Sequence, residues 1–236
     1  MSQLQQASSS SGKPEQFTKL DWPDFVQLAL RLTIKAYQAM RQEVMAQLDW
    51  EENHFTIRLG EDYLRPIAFD NELSLRVDIR SKVHTKEMKE GKQATIEAKE
   101  MDLSLYGVWE RDYLRKRFVW EAKRVGDKRA NSKYSSLNSE YVNEALYRFI
   151  HREYADGLDD AGVLAYILAG QADIIVNDIN HTMGNLRNNP ALPQSNHLRK
   201  NPLVNNFTNI FLSQHIRTDN TNIQLHHLFL TFDFAP

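Results

Sequence analysis

The stretch that most constrains the fold of this chain is residues 118–125, Phe-Val-Trp-Glu-Ala-Lys-Arg-Val. Its large apolar residues predict a β-strand, in which successive side chains point to opposite faces. Glu121 and Lys123 therefore share one face, while Trp120 and Ala122 share the other. Both faces look covered, and a charged pair on a covered strand is costly to desolvate unless the protein uses it. The stretch therefore predicts a functional site.

A second strand is predicted at residues 101–106, where alternation places Asp102 on the same face as Ser104 and Tyr106. The charged segment between the two strands has room for a connection between neighbours. If the polar faces align, Asp102 meets Glu121 and Lys123. Two carboxylates in a partly dry pocket repel one another, and a divalent cation relieves that repulsion. Hard oxygen ligands suit Mg²⁺ or Mn²⁺.

These residues resemble the pattern of the PD-(D/E)xK nuclease superfamily, in which an Asp on one strand is followed by Glu-x-Lys on the next and then by a helix. The matching residues are Asp102, Glu121 and Lys123, while Met101 stands at the position of the pattern's Pro. The order strand, strand, helix, strand over residues 95–170 is also similar to the superfamily core. The resemblance implies an α/β fold with a restriction-endonuclease-like core, a central mixed β-sheet flanked by helices on both faces.

The resemblance also implies roles for individual residues. Asp102, Glu121 and Lys123 would be catalytic, and Mg²⁺ or Mn²⁺ would be bound by Asp102, Glu121 and the Ala122 carbonyl. Lys123 would orient a water molecule or help to deprotonate it. Substrate contacts are expected from Arg124, Tyr141, Glu144 and Arg148. For Glu144 and Arg148, a simple surface ion pair at i, i+4 is the alternative.

A competing set of residues has the same spacing. Asp78, Glu97 and Lys99 have the same spacing in the sequence as Asp102, Glu121 and Lys123. Glu97 lies among polar residues, whereas Glu121 follows three large apolar residues and precedes a strong helix pattern. The sequence therefore favours the Asp102 set.

The composition of the 236 residues, 42% apolar and 25% charged, is typical of a globular protein. The absence of cysteine excludes disulfides and thiolate metal sites and favours a reducing cytosol. No apolar run approaches a transmembrane length, so we expect a cytoplasmic protein without membrane contact. Residues 1–19, rich in Ser and Gln, are expected to form a disordered tail, and residues 20–236 a single nuclease-like domain.

The net charge of −2 gives no general attraction for a polyanion, so nucleic acid would have to meet a local basic surface. A run of charges is more often simply a solvated loop. The basic residues concentrated around the predicted site are Arg111, Arg115, Lys116, Arg117, Lys123, Arg124, Lys128, Arg129 and Lys133.

Patterns in the first part of the chain predict the elements that precede the site. A helix is expected from Trp22 to about Leu48, capped by Asp24 or the turn before it. Glu43 on this helix is a candidate to reach the site, although a surface position fits it better. Residues 55–58 and 73–79 are interpreted as strands or short elements.

The remaining elements follow from periodicity and turn signals. A helix is expected at residues 139–154 with Ser139 as its N-cap, a buried central strand at 161–168, and a second helix at 171–186. Two alternating segments, 207–217 and 223–234, predict a hairpin. The hairpin carries Ser213, His215 and Arg217 on one face, and His226 and His227 on opposite faces.

Three classes of function were weighed against these patterns. The first is a metal-dependent endonuclease, with DNA favoured over RNA, whose specificity comes from a partner protein, homo-oligomerisation or substrate structure. By resemblance, its setting is a bacterial restriction or anti-phage defence system. The second is an inactive relative that binds nucleic acid or assembles a complex. The third is an unrelated small-molecule enzyme or interaction protein, for which no Gly-rich phosphate loop or nucleophile elbow is present.

Overall fold

The computed structural model describes residues 21–70, 75–82, 90, 100–107, 117–185, 196–201 and 207–235. Within these residues one mixed sheet has the strand order β1-β2-β3-β4-β7-β6-β5. The expected tail, residues 1–19, lies outside the described residues. The strands are β1 (Leu75–Lys82), β2 (Glu100–Gly107), β3 (Arg117–Val125), β4 (Asp160–Ile167), β5 (Arg199–Lys200), β6 (Ile210–Ile216) and β7 (Asn222–Thr231).

The centre of the sheet is parallel and its two sides are antiparallel. β4 runs parallel to β3 on one side and to β7 on the other. β1, β2 and β3 form an antiparallel series, as do β7, β6 and β5. Every residue of β4 after Asp160 is buried, as expected for an apolar run that is covered on both faces. The predicted central strand and the predicted hairpin of β6 and β7 are confirmed.

The helices come from three parts of the chain. Two of the parts contain a π-helical segment between α-helical turns. The helices are α1 (Trp22–Glu43), α2 (Glu52–Ile57), π1 (Arg58–Leu64), α3 (Arg65–Asp70), α4 (Tyr134–Glu140), π2 (Tyr141–Leu146), α5 (Tyr147–Ile150) and α6 (Ala172–Asn185). Among the described residues, none of the helices has both the length and the apolar character needed to cross a membrane.

Two apolar cores lie on the two faces of the sheet. The first core packs the helices of residues 22–70 against β-strand residues such as Trp120 and Leu164. The second packs the helical residues 141–150 and 172–185 against the opposite face, where Val119 and Val163 lie. The α/β class and the mixed sheet with helices on both faces therefore agree with the expectation.

The first helix ends earlier than predicted. α1 stops at Glu43, and the expected extension to Leu48 is wrong. Ala46 instead forms an isolated parallel bridge with Phe234, which draws the backbone away from the helix. At the other end, the Asp21 carboxylate accepts a hydrogen bond from the Asp24 amide, so Asp21 and not Asp24 is the N-cap.

Residues 55–58 are helical, so of the two interpretations, a strand or another short element, the strand is wrong and a short helix is found. Thr56 and Ile57 are β-branched, which favours a strand locally. Phe55 and Leu59 are nevertheless both fully buried in the first core, and their i, i+4 spacing fits a helix. The Thr56 hydroxyl also donates to the Glu52 carbonyl, one helical turn back. Packing of this helical stripe has overridden local propensity.

The helix over the site begins at Tyr134, five positions before the expected start at Ser139. Ser139 is not an N-cap, because its hydroxyl donates to the Ser135 carbonyl inside the helix. The helix ends at Ile150 and not at Tyr154, and Arg152 and Ala155 beyond it have φ of 63° and 53°. Left-handed backbone of this kind cannot continue a helix. The second predicted helix is confirmed as α6.

Candidate metal and phosphate site

The site begins where the β2–β3 ladder stops. The paired register runs from Tyr106 opposite Arg117 to Leu103 opposite Trp120. One residue further, the Asp102 carboxylate accepts a hydrogen bond of 2.7 Å from the Ala122 amide, in place of a ladder partner. The N–H and C=O of one strand residue point to the same side, so the Ala122 carbonyl also faces β2 and Asp102.

Glu121 lies at the bottom of this site with only 2% of its surface exposed. Its Oε1 accepts a hydrogen bond of 2.9 Å from Arg148 Nη1 and lies 3.3 Å from Lys123 Nζ. Its Oε2 is buried and accepts no hydrogen bond from an N–H or hydroxyl group, while the Glu121 and Asp102 carboxyl groups lie within hydrogen-bonding reach of one another. Two neighbouring carboxyl groups in a buried place need a proton or a cation between them, so an added cation would gain most beside Glu121 and Asp102.

Lys123 is the positive centre of a group of carboxylates. Its Nζ donates to Glu52 Oε1 at 3.0 Å, and it also lies 3.3 Å from Glu121 and 3.6 Å from Glu144. Only 5% of Lys123 is exposed. These four residues, with Asp102 and Arg148, are called the charged cluster below.

The electrostatics show that the carboxylates outweigh the available positive charge. Burial, followed by repulsion from Asp102, raises the pKa of Glu121 to about 8. Burial also raises the pKa of Asp102 and of Glu52. For Lys123, burial opposes the charged form, but the nearby Glu121 and Glu52 prevail and the pKa is raised. The ammonium therefore stays charged at neutral pH, while the buried carboxyls hold protons more tightly than usual.

The donor set fits a hard divalent cation. Asp102 and Glu121 supply carboxylate oxygens, and the Ala122 carbonyl faces the same side of β3. Among the residues that the structure describes, no three acidic, histidine or cysteine side chains are arranged as a metal-binding group. A cation at this site would therefore rely on two carboxylates, a main-chain carbonyl and water, which is common for Mg²⁺.

Two predicted substrate residues lie apart from the charged cluster. Arg124 donates to the Trp50 carbonyl at 3.3 Å and pairs with Glu51 at 2.7 Å. Tyr141 is fully buried in the second core, and its hydroxyl is 2.6 Å from His227 Nδ1. A fully buried side chain cannot touch a substrate in this conformation, so the assignment of Tyr141 to substrate binding is corrected to a structural role. Glu144 and Arg148 do lie in the cluster.

Glu52 is the member of the charged cluster that the sequence did not reveal. It is the first residue of α2 and precedes residues 55–58, for which the sequence predicts a strand or short element. The helix carboxylate that the sequence offers as a candidate is Glu43. Glu43 is exposed near the end of α1. The helical spacing of Phe55 and Leu59 was the available signal, because it places Glu52 on the first turn of a helix.

The competing set is only partly described. Asp78 accepts hydrogen bonds from the Tyr106 hydroxyl at 2.9 Å and from Arg76 Nε at 3.0 Å, so its carboxylate is engaged on β1 and β2. Glu97 and Lys99 lie outside the described residues. The same is true of Arg111, Arg115 and Lys116 in the predicted basic surface. Of the later basic residues, Lys128 pairs with Asp178 and Arg129 pairs with Asp127.

A second polar cluster crosses the hairpin on the same face of the sheet. Ser213 Oγ lies 2.8 Å from His227 Nε2 and 2.8 Å from His215 Nε2, and His227 reaches Tyr141. This serine–histidine chain (Tyr141, His227, Ser213, His215) is buried throughout. Burial lowers the pKa of His215 to about 4 and that of His227 well below its ordinary value. Both imidazoles are therefore neutral at physiological pH.

The other hairpin residues have structural partners. His226 is on the opposite face from His227, as predicted, and its Nε2 lies 2.8 Å from Asp160 Oδ1. Arg217 shares the face of Ser213 and donates to the carbonyls of Phe149 and Ala155. These contacts tie the hairpin to the region that follows α5.

Comparison of the chain with protein-family models, with curated proteins and with solved structures gives no match. The chemistry of the charged cluster therefore rests on its own geometry.

Proposed function

We propose that this protein is a metal-dependent nuclease that hydrolyses phosphodiester bonds, with DNA favoured over RNA as its substrate. The observation that carries the proposal is the carboxyl pair of the half-buried Asp102 and the buried Glu121, set beside the Lys123 ammonium where the β2–β3 pairing ends. The pKa of Glu121 is raised, first by burial and then by the neighbouring Asp102, which supports a site that binds a cation. Perturbed groups of this kind concentrate at functional sites.

Asp102, Glu121 and the Ala122 carbonyl would hold Mg²⁺ or Mn²⁺. When bound, the ion polarises a phosphate oxygen and lowers the pKa of its water. The chain's own residues supply the remaining functions. The Lys123 ammonium, fixed by Glu52 and Glu121, adds positive charge beside the phosphate and can orient the attacking water.

Arg148 is suited to contact the phosphate. Its side chain is 31% exposed and links the buried Glu121 to the surface. A guanidinium presents a planar set of donors that matches phosphate geometry. Its hydrogen bond to the Tyr154 hydroxyl, and the Tyr154 bond to the Glu100 carbonyl, hold it in place. Arg148 would therefore position the substrate above the carboxylates.

The order of elements also supports this proposal. β2 and β3 carry the acidic and lysine residues, the helical residues 134–150 follow and cover them, and β4 then pairs in parallel with β3. This succession agrees with the strand, strand, helix, strand order of the restriction-endonuclease-like core, which we propose for residues 100–167.

A cleavage assay tests the proposal. Purified full-length protein is incubated with supercoiled, linear duplex and single-stranded DNA and with RNA, in Mg²⁺, Mn²⁺ or EDTA. We expect cleavage with either ion and none in EDTA. Lys123→Ala is the matched variant, and it should bind metal but cut nothing, because the lysine acts on water and phosphate and not on the ion.

Two outcomes would overturn the proposal. One is that the wild-type protein cuts none of these substrates with either ion. The other is that Lys123→Ala, folded by circular dichroism, cuts at the wild-type rate, since the activity would then come from elsewhere or from a contaminant. Nucleic-acid binding without cleavage would favour a binding subunit instead.

A further inference from the structure

Three contacts hold residues 50–52, at the start of α2, against the end of β3. Glu52 binds Lys123, Glu51 pairs with Arg124, and the Trp50 carbonyl accepts a hydrogen bond from Arg124. Residues 50–52 therefore lie against the last residues of β3. The first turn of α2 is therefore held next to the proposed phosphate site, and so is the surface that this turn exposes.

That surface is an aromatic stack. The Trp50 indole and the His54 imidazole lie with ring centroids 4.1 Å apart and planes 25° from parallel. The Arg58 guanidinium sits 5.7 Å from the centre of the indole. Trp50 is half-buried and packs its edge on the core residue Phe55, with centroids 5.3 Å apart. Trp50 is thus the anchored member, and His54 is the exposed one.

A flat exposed ring on a rigid support is suited to stack a nucleobase. Every base has a π-face, so such a contact is independent of sequence. Inside a duplex, both faces of a base already lie on the neighbouring base pairs. Away from the duplex ends, therefore, only an unpaired base can stack on His54. Glu51 and Glu52 lie beside the stack, but their negative charges are offset by their partners Arg124 and Lys123. Arg58 adds a cation at the indole ring.

We propose that an unpaired nucleobase stacks on the outer face of His54, supported by Trp50, while its neighbouring phosphate reaches the charged cluster. The inference rests on the proposed function and narrows its substrate to nucleic acid with unpaired bases, such as single strands, flaps or bulges. DNA and RNA share this chemistry. The platform distinguishes paired from unpaired bases, and it leaves the choice of sugar to other contacts.

Binding without cleavage tests this inference. Fluorescence anisotropy in EDTA compares labelled single-stranded DNA, single-stranded RNA and a blunt DNA duplex with the full-length protein. We expect single strands to bind more tightly than the duplex. His54→Ala should weaken single-strand binding about tenfold and leave duplex binding unchanged, as expected for the loss of one stacked base. His54→Phe keeps a flat ring and should retain the affinity.

The matched control is Asn53→Ala, an exposed neighbour on the same helix, which should bind as the wild type does. The inference fails if His54→Ala binds single strands normally, if His54→Phe is as weak as His54→Ala, or if the blunt duplex is preferred. The wild-type protein could show the expected binding pattern but cut nothing with any metal. That result would support base stacking on His54 and would contradict the nuclease proposal. The two failures are therefore distinguishable.

Discussion

The charged cluster and the serine–histidine chain both lie beneath the same helical segment and both contain buried polar atoms. The two groups differ in how those atoms are stabilised. Residues 134–150 contribute Glu144 and Arg148 to the first and Tyr141 to the second. Each leaves one buried atom without a partner, Glu121 Oε2 and His215 Nδ1. The two groups therefore do not differ in the number of unsatisfied atoms.

The difference between them is charge. In the serine–histidine chain, a hydroxyl can donate to one imidazole and accept from another, so neutral groups satisfy one another without any ion. The charged cluster places Glu121 and Lys123 in the same degree of burial, where desolvated ions cost much more. Satisfied neutral networks serve structure, whereas buried ionisable groups with strongly shifted pKa values concentrate at functional sites. This contrast predicts that mutation of the charged cluster lowers activity, whereas mutation of the serine–histidine chain lowers stability.

The largest expected effect is on activity, from Glu121→Gln. The change keeps the size of the side chain but removes the charge that would bind the ion, so cleavage should fall below about one-hundredth of the wild-type rate. Fold and nucleic-acid affinity should remain nearly intact. Initial rates in Mg²⁺ measure cleavage, anisotropy measures nucleic-acid affinity, and circular dichroism checks the fold. A variant that cuts at the wild-type rate would show that the site is misassigned.

The opposite pattern is expected from Ser213→Ala in the serine–histidine chain. Loss of the hydroxyl leaves Nε2 of both His215 and His227 without a partner, which should lower the free energy of unfolding by about 1–3 kcal/mol. Cleavage at 25 °C should be unchanged. Urea unfolding and initial rates test the pair of statements. If a fully folded Ser213→Ala protein lost activity, the serine–histidine chain would also contribute to function, and the contrast with the charged cluster would be wrong.

Sequence patterns predicted the residues of the charged cluster that lie on the strands. Asp102, Glu121 and Lys123 follow from the two-residue alternation of neighbouring strands, which is a local signal. Glu52 could not be predicted in the same way. It lies far from Lys123 in sequence, and the β-branched Thr56 and Ile57 beside it favour a strand until tertiary packing decides for a helix.

Tyr141 shows a second limit of prediction. The spacing of Tyr141, Glu144 and Arg148 places them along one side of a regular α-helix. The helix is π-helical from Tyr141 to Leu146, and the wider turn changes which side chains share a face. Tyr141 therefore points to His227 while Arg148 points to Glu121. Nothing in the local sequence pattern reveals that shift.

A smaller effect is expected on the pH dependence of stability without metal. The pKa of Glu121 rises from its ordinary value of 4.5 to about 8 in the folded protein. The folded state therefore holds a proton that the unfolded chain has already lost, and its contribution to stability disappears as the pH rises through 8. Relative to Glu121→Gln, the wild type should therefore lose stability between about pH 4.5 and 8 and level off above that range.

Thermal unfolding in EDTA at several pH values measures this difference. The Ser213→Ala protein is the control, because it retains Glu121 and should follow the wild-type slope over the same pH range. Parallel curves for the wild type and Glu121→Gln would show that the carboxyl group of Glu121 is not perturbed in the way that the structure indicates.

The smallest effect is expected from Arg148→Ala on substrate binding. Removing one phosphate contact should weaken binding to all sequences alike and reduce the slope of log K against log salt by about one. Anisotropy from 50 to about 300 mM salt measures the slope. An unchanged slope would mean that Arg148 serves only as the partner of Glu121.

The parallel centre of the sheet has a consequence for how the protein folds. β3, β4 and β7 lie side by side, but β7 is formed by Asn222–Thr231, long after β3 in the chain. β4 therefore lacks one neighbour until residue 231 has been synthesised. Pairings between distant segments are slow to form and expose apolar strand edges meanwhile. We expect folding of this chain to be limited by the pairing of β7 with β4.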